Sequence, residues 1–419
     1  MKHVLRRTTA ILIAVAMVMS ALVGVTSVAP QAAEAQSGPN AFRDAGRLGQ
    51  GVNVAYERPD GRNFKTRPVR DMNAIWDDIA DRGFDHVRLA VDFNRHAARV
   101  GNRWVVKLSF LRDLRVATRN ARARGLIVIL DMHGVGNAAF HRAPANNRVR
   151  FVQLWESIGR YFRLDGNIYY QLINEPTGPT LPTATTAAQR AANLTTTNNY
   201  SGAVNRFYTQ ATRALRAVNA NQPILVSPIF FNNIFEIPRL RMPTLEPGVF
   251  DPRVIIDVHF YDPLCFTHQG ADWLAGSLDA YVADCQPTGK TWQAAFAQDP
   301  FADDAAQEAG KEAWMQAAFD SAQQFAQVKN APVYMGEFGT NDPSHRGPNF
   351  RSPAADRLAW TRAVVANAAN HNQGAGSGIN WAYWEYEASF GLCNNGRWNV
   401  QLLNTLIPGQ TPGPCEAAD

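Results

Sequence analysis

Two periods of hydrophobic and polar positions alternate along this chain. Stretches with apolar residues three and four apart are followed by short runs that are apolar almost throughout and rich in Val, Ile and Tyr. The first pattern predicts amphipathic helices and the second predicts buried strands. Residues 71–83, 108–125, 148–163, 201–220, 310–329 and 354–372 carry the helical period. Residues 49–55, 84–91, 126–131, 167–173, 223–228, 254–260, 332–336 and 378–384 read as strands. Continuously apolar strands separated by helices imply a parallel sheet covered on both faces. Eight such units predict an α/β fold, a (β/α)8 TIM barrel. A doubly wound sheet is the rival, but no Gly-rich phosphate turn follows the first strand. No internal linker or break in composition marks a second domain. Two long insertions, 177–200 (rich in Thr, Asn and Pro) and 262–309, follow strands, the side where barrels carry their specificity loops.

The start of the chain has a different pattern. Lys2, Arg6 and Arg7 precede an apolar run from about Ala10 to Val25, and small residues end in Ala33-Glu34-Ala35. This is the pattern of a secretory signal peptide. Residues 1–35 are therefore expected to be a leader, with residues 36–419 the catalytic barrel domain of an exported protein. Removing the leader lowers the formal charge of +5 by two. Such a small excess, with no basic run, gives no footprint for nucleic acid. No other stretch has the roughly 18 apolar residues that suggest a membrane span. An exported chain with Cys265, Cys285, Cys393 and Cys415 suggests two disulfides, for which three pairings are possible. Cys265–Cys285 and Cys393–Cys415 are favoured because each brackets one irregular segment. A loop of that length contributes about 3 kcal/mol in the chain-entropy model. A metal site is disfavoured, since neither C-x-x-C nor H-E-x-x-H occurs.

In a barrel of this kind the active site lies at the C-terminal ends of the strands. Strand two carries Arg88, and strand three ends in Asp131-Met132-His133-Gly134. Strand four ends in Asn174-Glu175-Pro176, and strand six carries His259 and Tyr261. Strand seven ends in Gly336-Glu337-Phe338-Gly339, and strand eight in Trp384-Glu385. Two carboxylates from different strands that face one cavity suit glycoside hydrolysis. Arg88 and Tyr261 are expected to hold Glu337 anionic, while a more apolar surround raises the pKa of Glu175. Asn174 is a candidate for the sugar 2-hydroxyl.

These residues, in this order, resemble glycoside hydrolase family 5, the cellulase family, from about Gly49 to Leu392. The family's Asn-Glu-Pro matches Asn174-Glu175-Pro176, which implies the acid/base role for Glu175. Its strand-seven glutamate matches Glu337 in VYMGEFG, which implies the nucleophile. Arg88 in HVRLAV, His133 in LDMHG, and His259 and Tyr261 in VHFY match its supporting residues. The family's strand-eight Trp matches Trp384 in AYWE, with Trp381 as the rival. Glu385 is a candidate ligand for sugar hydroxyls, and Asn53, near the end of strand one, is expected to support the site from behind. Trp273 and Trp292 are candidates to extend the cleft or to pack under the long loop. His96, His141, His268 and His345 lie in no motif and are left as surface or loop residues.

The resemblance implies a retaining endo-β-1,4-glucanase that needs no cofactor and no metal. Its partner is a polysaccharide, β-glucan or β-mannan, and the chain is expected to act as a monomer. A β-mannanase or another β-glucanase is the alternative within the family. A non-catalytic carbohydrate-binding barrel is the alternative of another class. Retention predicts carboxyl groups about 5–5.5 Å apart.

Overall fold

The computed structural model describes residues 39–416 apart from 61–62, 135–136, 183, 185, 219, 272–288, 299–303, 343–351 and 374–377. The expected leader, Trp273, Cys285 and His345 lie outside the described residues. Eight strands form a closed barrel: β1 (Gln50–Ala55), β2 (His86–Val91), β3 (Ile127–Met132), β4 (Ile168–Gln171), β5 (Ile224–Val226), β6 (Val254–Phe260), β7 (Val333–Phe338) and β8 (Trp381–Tyr383). Each is parallel to the next, and β8 closes on β1. The longer helices are α1 (Pro39–Gly46), α2 (Val69–Asp81), α3 (Leu108–Ala123), α4 (Pro144–Phe162), α5 (Ala187–Ala217), α6 (Lys311–Lys329), α7 (Ala354–Asn370) and α8 (Val400–Leu406). No helix of the described residues is long and apolar enough to cross a membrane.

Strand residues alternate between two apolar clusters. The outward positions, such as Val128, Leu130, Val254 and Ile256, join the helix faces in one large core. Helix α2 shows how: Met72, Ile75, Trp76 and Ile79 are spaced for one buried face. The Trp76 indole N–H donates to the Ala117 carbonyl of α3 at 3.0 Å. The inward positions Ile127, Ile129, Tyr169, Leu225, Ile255, Tyr334 and Ala382 fill the barrel with Ala45 and Leu48.

Ala45 and Leu48 come from α1 and the turn after it, which seal the N-terminal end of the barrel. Asp44 accepts an ion pair from Arg253 at 2.7 Å, and its carbonyl accepts from Tyr169 Oη at 2.8 Å. Asn380 donates to the Ala45 carbonyl, and the Leu48 carbonyl bonds His86 Nδ1, both at 2.6 Å. The cover is thus tied to residues of four strands or their ends.

The same inward alternation turns polar toward the C-terminal ends. It runs from His86 to Arg88, from Ile129 to Asp131, from Tyr169 to Gln171 and from Ile255 through Asp257 to His259. Strand β7 breaks it. Val258 pairs with Met335 but His259 pairs with Glu337, so Gly336 is an extra residue. Met335 and Phe338 both face the outer core, and the bulge turns Glu337 inward between them. Gly336 leaves the space that the Asp257 carboxylate occupies. A Cβ there would stand 2.2 Å from Asp257 Oδ1.

Two local expectations change, and the alternative left open for Trp292 is decided in favour of packing. Helix α5 begins at Ala187, well before residue 201, because Thr186 and Gln189 form a capping box. Thr195 and Thr196 bond back to the carbonyls of Ala191 and Ala192, so a Thr-rich stretch is accommodated within a helix. The 262–309 segment contains short helices at Leu264–Thr267, Trp292–Phe296 and Asp304–Ala309. Trp292 is buried in the core there, with Lys311 over its ring, and does not line a cleft. The disulfide Cys393–Cys415 forms as expected. Cys265 is also disulfide-bonded.

Gly336→Ala should lower stability by about 1–3 kcal/mol, the usual cost of overpacking. A urea melt at wild-type midpoint would show that the Asp257 carboxylate can move aside.

Candidate active site

Arg88 is fully buried at the upper end of the barrel interior. A guanidinium has five N–H donors in a rigid fork, and an unpaired one at this depth is costly. All five have partners. Nε donates to Gln171 Oε1, Nη1 to Asn53 Oδ1 and Glu337 Oε1, and Nη2 to Asn174 Oδ1, each at 2.7 Å. Nη2 also lies 2.9 Å from Asp131 Oδ2. Asp131 in turn holds His133 Nδ1 at 2.8 Å, and His133 Nε2 meets Asn174 Nδ2 at 3.2 Å. Asn53 also donates to the Gly336 carbonyl at 2.9 Å, beside Glu337.

Glu337 has both oxygens clamped. Arg88 takes Oε1, and Tyr261 Oη donates to Oε2 at 2.9 Å. Glu175 is held on one side only, by His259 Nδ1 at 2.9 Å, and its side chain is 28% exposed. One ligand-type atom from each of Glu175, His259 and Glu337 lies within 4.8 Å of the others. Burial opposes charge on His259, but Glu337, Asp257 and Glu175 outweigh it and push its pKa up to about 10. Burial likewise raises Glu175, yet the His259 hydrogen bond and the charges of His259, His133 and Arg88 bring it down to about 2. Glu337 is raised by burial and by Glu175, against the pull of His259 and Arg88. Glu175 is thus lowered and Glu337 raised, the reverse of the order expected from the sequence. The imidazolium of His259, touching Glu175 directly, makes the difference.

At the rim, the Trp384 ring stacks on His133 with centroids 5.3 Å apart. Trp381 does not reach the cleft. It is an outward residue of β8, 4% exposed and edge-on to Phe338 at 5.3 Å, while Ala382 takes the inward position. Burial and the Glu337 charge push Glu385 up to about 8. His141 and His268 are not plain surface residues. Burial lowers each to about 4, and both feel the charge of Glu175. His268 also packs against Tyr261 and Phe390. His96 is bound too, stacked on Phe110 and in contact with Glu57.

The model of the cellulase family, glycosyl hydrolase family 5, matches residues 50–389. The chain belongs to glycosyl hydrolase family 5. This family 5 glycoside hydrolase is 26% identical to Cellodextrinase A of Ruminococcus flavefaciens, over 72% of this chain and 76% of that one. It is 21% identical to Endoglucanase H of Acetivibrio thermocellus, over 88% of this chain but only 34% of that longer protein. Among solved structures, Cel5A of Thermotoga maritima in complex with mannotriose superposes with a TM-score of 0.65. That match is 23% identical and covers 88% of this chain and all of the other.

The fold of the family 5 hydrolase therefore gathers Asn53, Arg88, His133, Asn174, Glu175, His259, Tyr261, Glu337 and Trp384 at one end of the barrel. It adds Asp131, Gln171, Asp257 and Asn232. The first and third of these stand two residues before His133 and His259, a parity along the strand that could have found them. Asn232 carried no signal. Glu175, His259 and Glu337 could in principle hold a cation. However, Arg88 and Tyr261 already engage both oxygens of Glu337.

His259 lowers the pKa of both glutamates. His259→Asn keeps a donor for Glu175 but removes the charge. Both limbs of the kcat/KM profile should then move to higher pH, by about one unit. An unmoved profile would show that His259 is uncharged in the working enzyme.

Proposed function

We propose that this enzyme is a retaining endo-β-1,4-glucanase, with Glu175 as acid/base and Glu337 as nucleophile. The observation that carries this reading is the asymmetry between the two glutamates. A nucleophile must hold one orientation toward the anomeric carbon, and Glu337 is fixed at both oxygens. An acid/base must reach the leaving oxygen and then water, and Glu175 is tied at one oxygen and open to the cleft. One carboxyl oxygen of each lies within 4.8 Å of the other, a close approach in keeping with retention, since inverting pairs are spaced about 6.5–9.5 Å apart to admit a water.

In the first step Glu337 attacks the anomeric carbon while Glu175 gives its proton to the departing sugar oxygen. In the second, Glu175 takes a proton from water, which attacks the same carbon and frees Glu337. The pair must carry one proton at the outset, so it works as a coupled unit. Arg88 and Tyr261 hold Glu337 in line throughout. Asn174, turned by Arg88 and His133, can meet the sugar 2-hydroxyl, and Trp384 offers a face to a pyranose ring.

The substrate in this reading is a β-glucan, in keeping with the endoglucanase names among the relatives. A β-mannan is the second reading, favoured by the mannotriose complex of the Thermotoga relative. Export completes the proposal. It rests on the leader pattern of residues 1–35 and on the Cys393–Cys415 disulfide, which suits an oxidising compartment.

Glu175→Gln should lower kcat/KM on cello-oligosaccharides by about 10²–10⁴-fold while the protein stays folded. Glu337→Gln should abolish turnover and serve as the blank. Proton NMR of the first product should show the β-anomer, and an α-anomer would sink retention. Rates on carboxymethyl cellulose, mixed-linkage glucan, xylan and β-mannan rank the substrates. Hydrolysis of mannan alone would overturn the glucanase assignment.

A further inference from the structure

Glu175 sits in an uncommon backbone state. Its φ is +45°, in the left-handed region that non-glycine residues seldom adopt. Such a state persists only where the surroundings hold it. Part of the hold comes from the loop after β5. There Phe230, Phe231 and Asn232 have φ of 55°, 63° and 58°, three left-handed residues in a row. The loop grips the Glu175 segment at three points. Phe231 N–H donates to the Pro176 carbonyl at 3.2 Å. The Phe230 ring fills the space over Gly178, where a Cβ would stand 2.4 Å from a ring carbon. The Glu175 N–H itself donates to the side-chain oxygen of Asn232 at 3.1 Å.

Asn232 has no solvent exposure, and its amide points the other way into a second node. Its Nδ2 donates to Asp257 Oδ2 at 2.5 Å. The same oxygen accepts from Gln171 at 2.6 Å and from Ser227 at 3.2 Å, and lies 3.5 Å from His259 Nε2. Asn232 therefore joins the backbone of one glutamate to the carboxylate beneath its imidazolium partner. The charged groups around that carboxylate are His259 and, farther off, Arg88. Around Glu175 they are His259, His133, Arg88 and Glu337.

We infer that Asn232 is a positioning residue for acid catalysis: its side-chain amide locks the Glu175 backbone to Asp257, so that the Glu175 carboxyl and His259 keep one relative placement. This rests on the proposed acid/base role of Glu175. It assigns Asn232 no contact with the sugar.

The test uses leaving groups. The dinitrophenolate of dinitrophenyl β-cellobioside departs without a proton, whereas the sugar leaving group of cellotetraose needs one. The comparison is made on kcat/KM, which reports the first step. Glu175→Ala should lose rate on cellotetraose and keep it on the dinitrophenyl substrate. If it does not, the role of Glu175 fails, and that outcome is distinct from a failure of Asn232.

Asn232→Gly tolerates the positive φ and loses only the side-chain bridge. It should lose about 10²-fold on cellotetraose, the scale of a misplaced catalytic group. On the dinitrophenyl substrate it should stay near wild type. Should the glycine variant not fold, Asn232→Asp keeps the acceptor but loses the donor, and it should show the same selective loss. Added to Glu175→Ala, either change should alter the residual rate little. Equal losses on both substrates, or no loss on cellotetraose, would overturn the inference.

Discussion

The upper half of this barrel depends on one buried cation. Arg88 can stand at the centre of an apolar barrel only if every N–H of its guanidinium is met. Meeting them requires Gln171 from β4, Asn53 from β1, Glu337 from β7, Asn174 beyond β4 and Asp131 from β3. Each partner has a second duty. Gln171 reaches Asp257, Asp131 turns His133, Asn53 caps the backbone beside Glu337, and Asn174 is fixed next to Glu175. The requirement of a single desolvated side chain thus fixes residues on several strands to one another. The fork of arginine can satisfy it, and the point charge of lysine could not.

A second cation, His259, completes the arrangement. It stands among Asp257, Glu175 and Glu337, and it is charged because three carboxylates outweigh the cost of burial. The two cations have different tasks. Arg88 orients Glu337, the proposed nucleophile, through a hydrogen bond that does not titrate. His259 sets how readily the pair holds a proton. Both cations lower the proton affinity of the glutamates, but Arg88 also clamps Glu337 while His259 holds Glu175.

Much of this was legible in the sequence. The eight strands stood out because strands buried on both faces must be apolar throughout. Most of the rim residues stood out because polar groups at the end of such a run need a reason to be there. Asp131 and Asp257 were missed, although parity along a strand, two residues before His133 and His259, was a signal that could have found them. Other features depend on three dimensions. Glu337 faces inward only because of the bulge at Gly336. Trp381 and Trp384 look equivalent in the chain, yet the alternation of β8 sends Trp381 to the outer core. The protonation order of the glutamates follows from a contact between His259 and Glu175 across different strands. The early start of α5 was within reach, through the spacing of Thr186 and Gln189, but its Thr-rich composition pointed to a loop.

The cover formed by α1 has a consequence for traffic. With Ala45 and Leu48 packed among the lowest inward residues, the barrel is a cup and not a pipe. Among the described residues, the glutamates are reached from the opposite end. In the proposed reading, a polysaccharide across that end keeps bulk solvent from the glutamates, and the proton they hold is the one available for the bond being cut. Departure of the first product then opens the way for the water that the proposed second step consumes. Sealing the far end of the barrel in this way makes the order of arrivals and departures part of the chemistry.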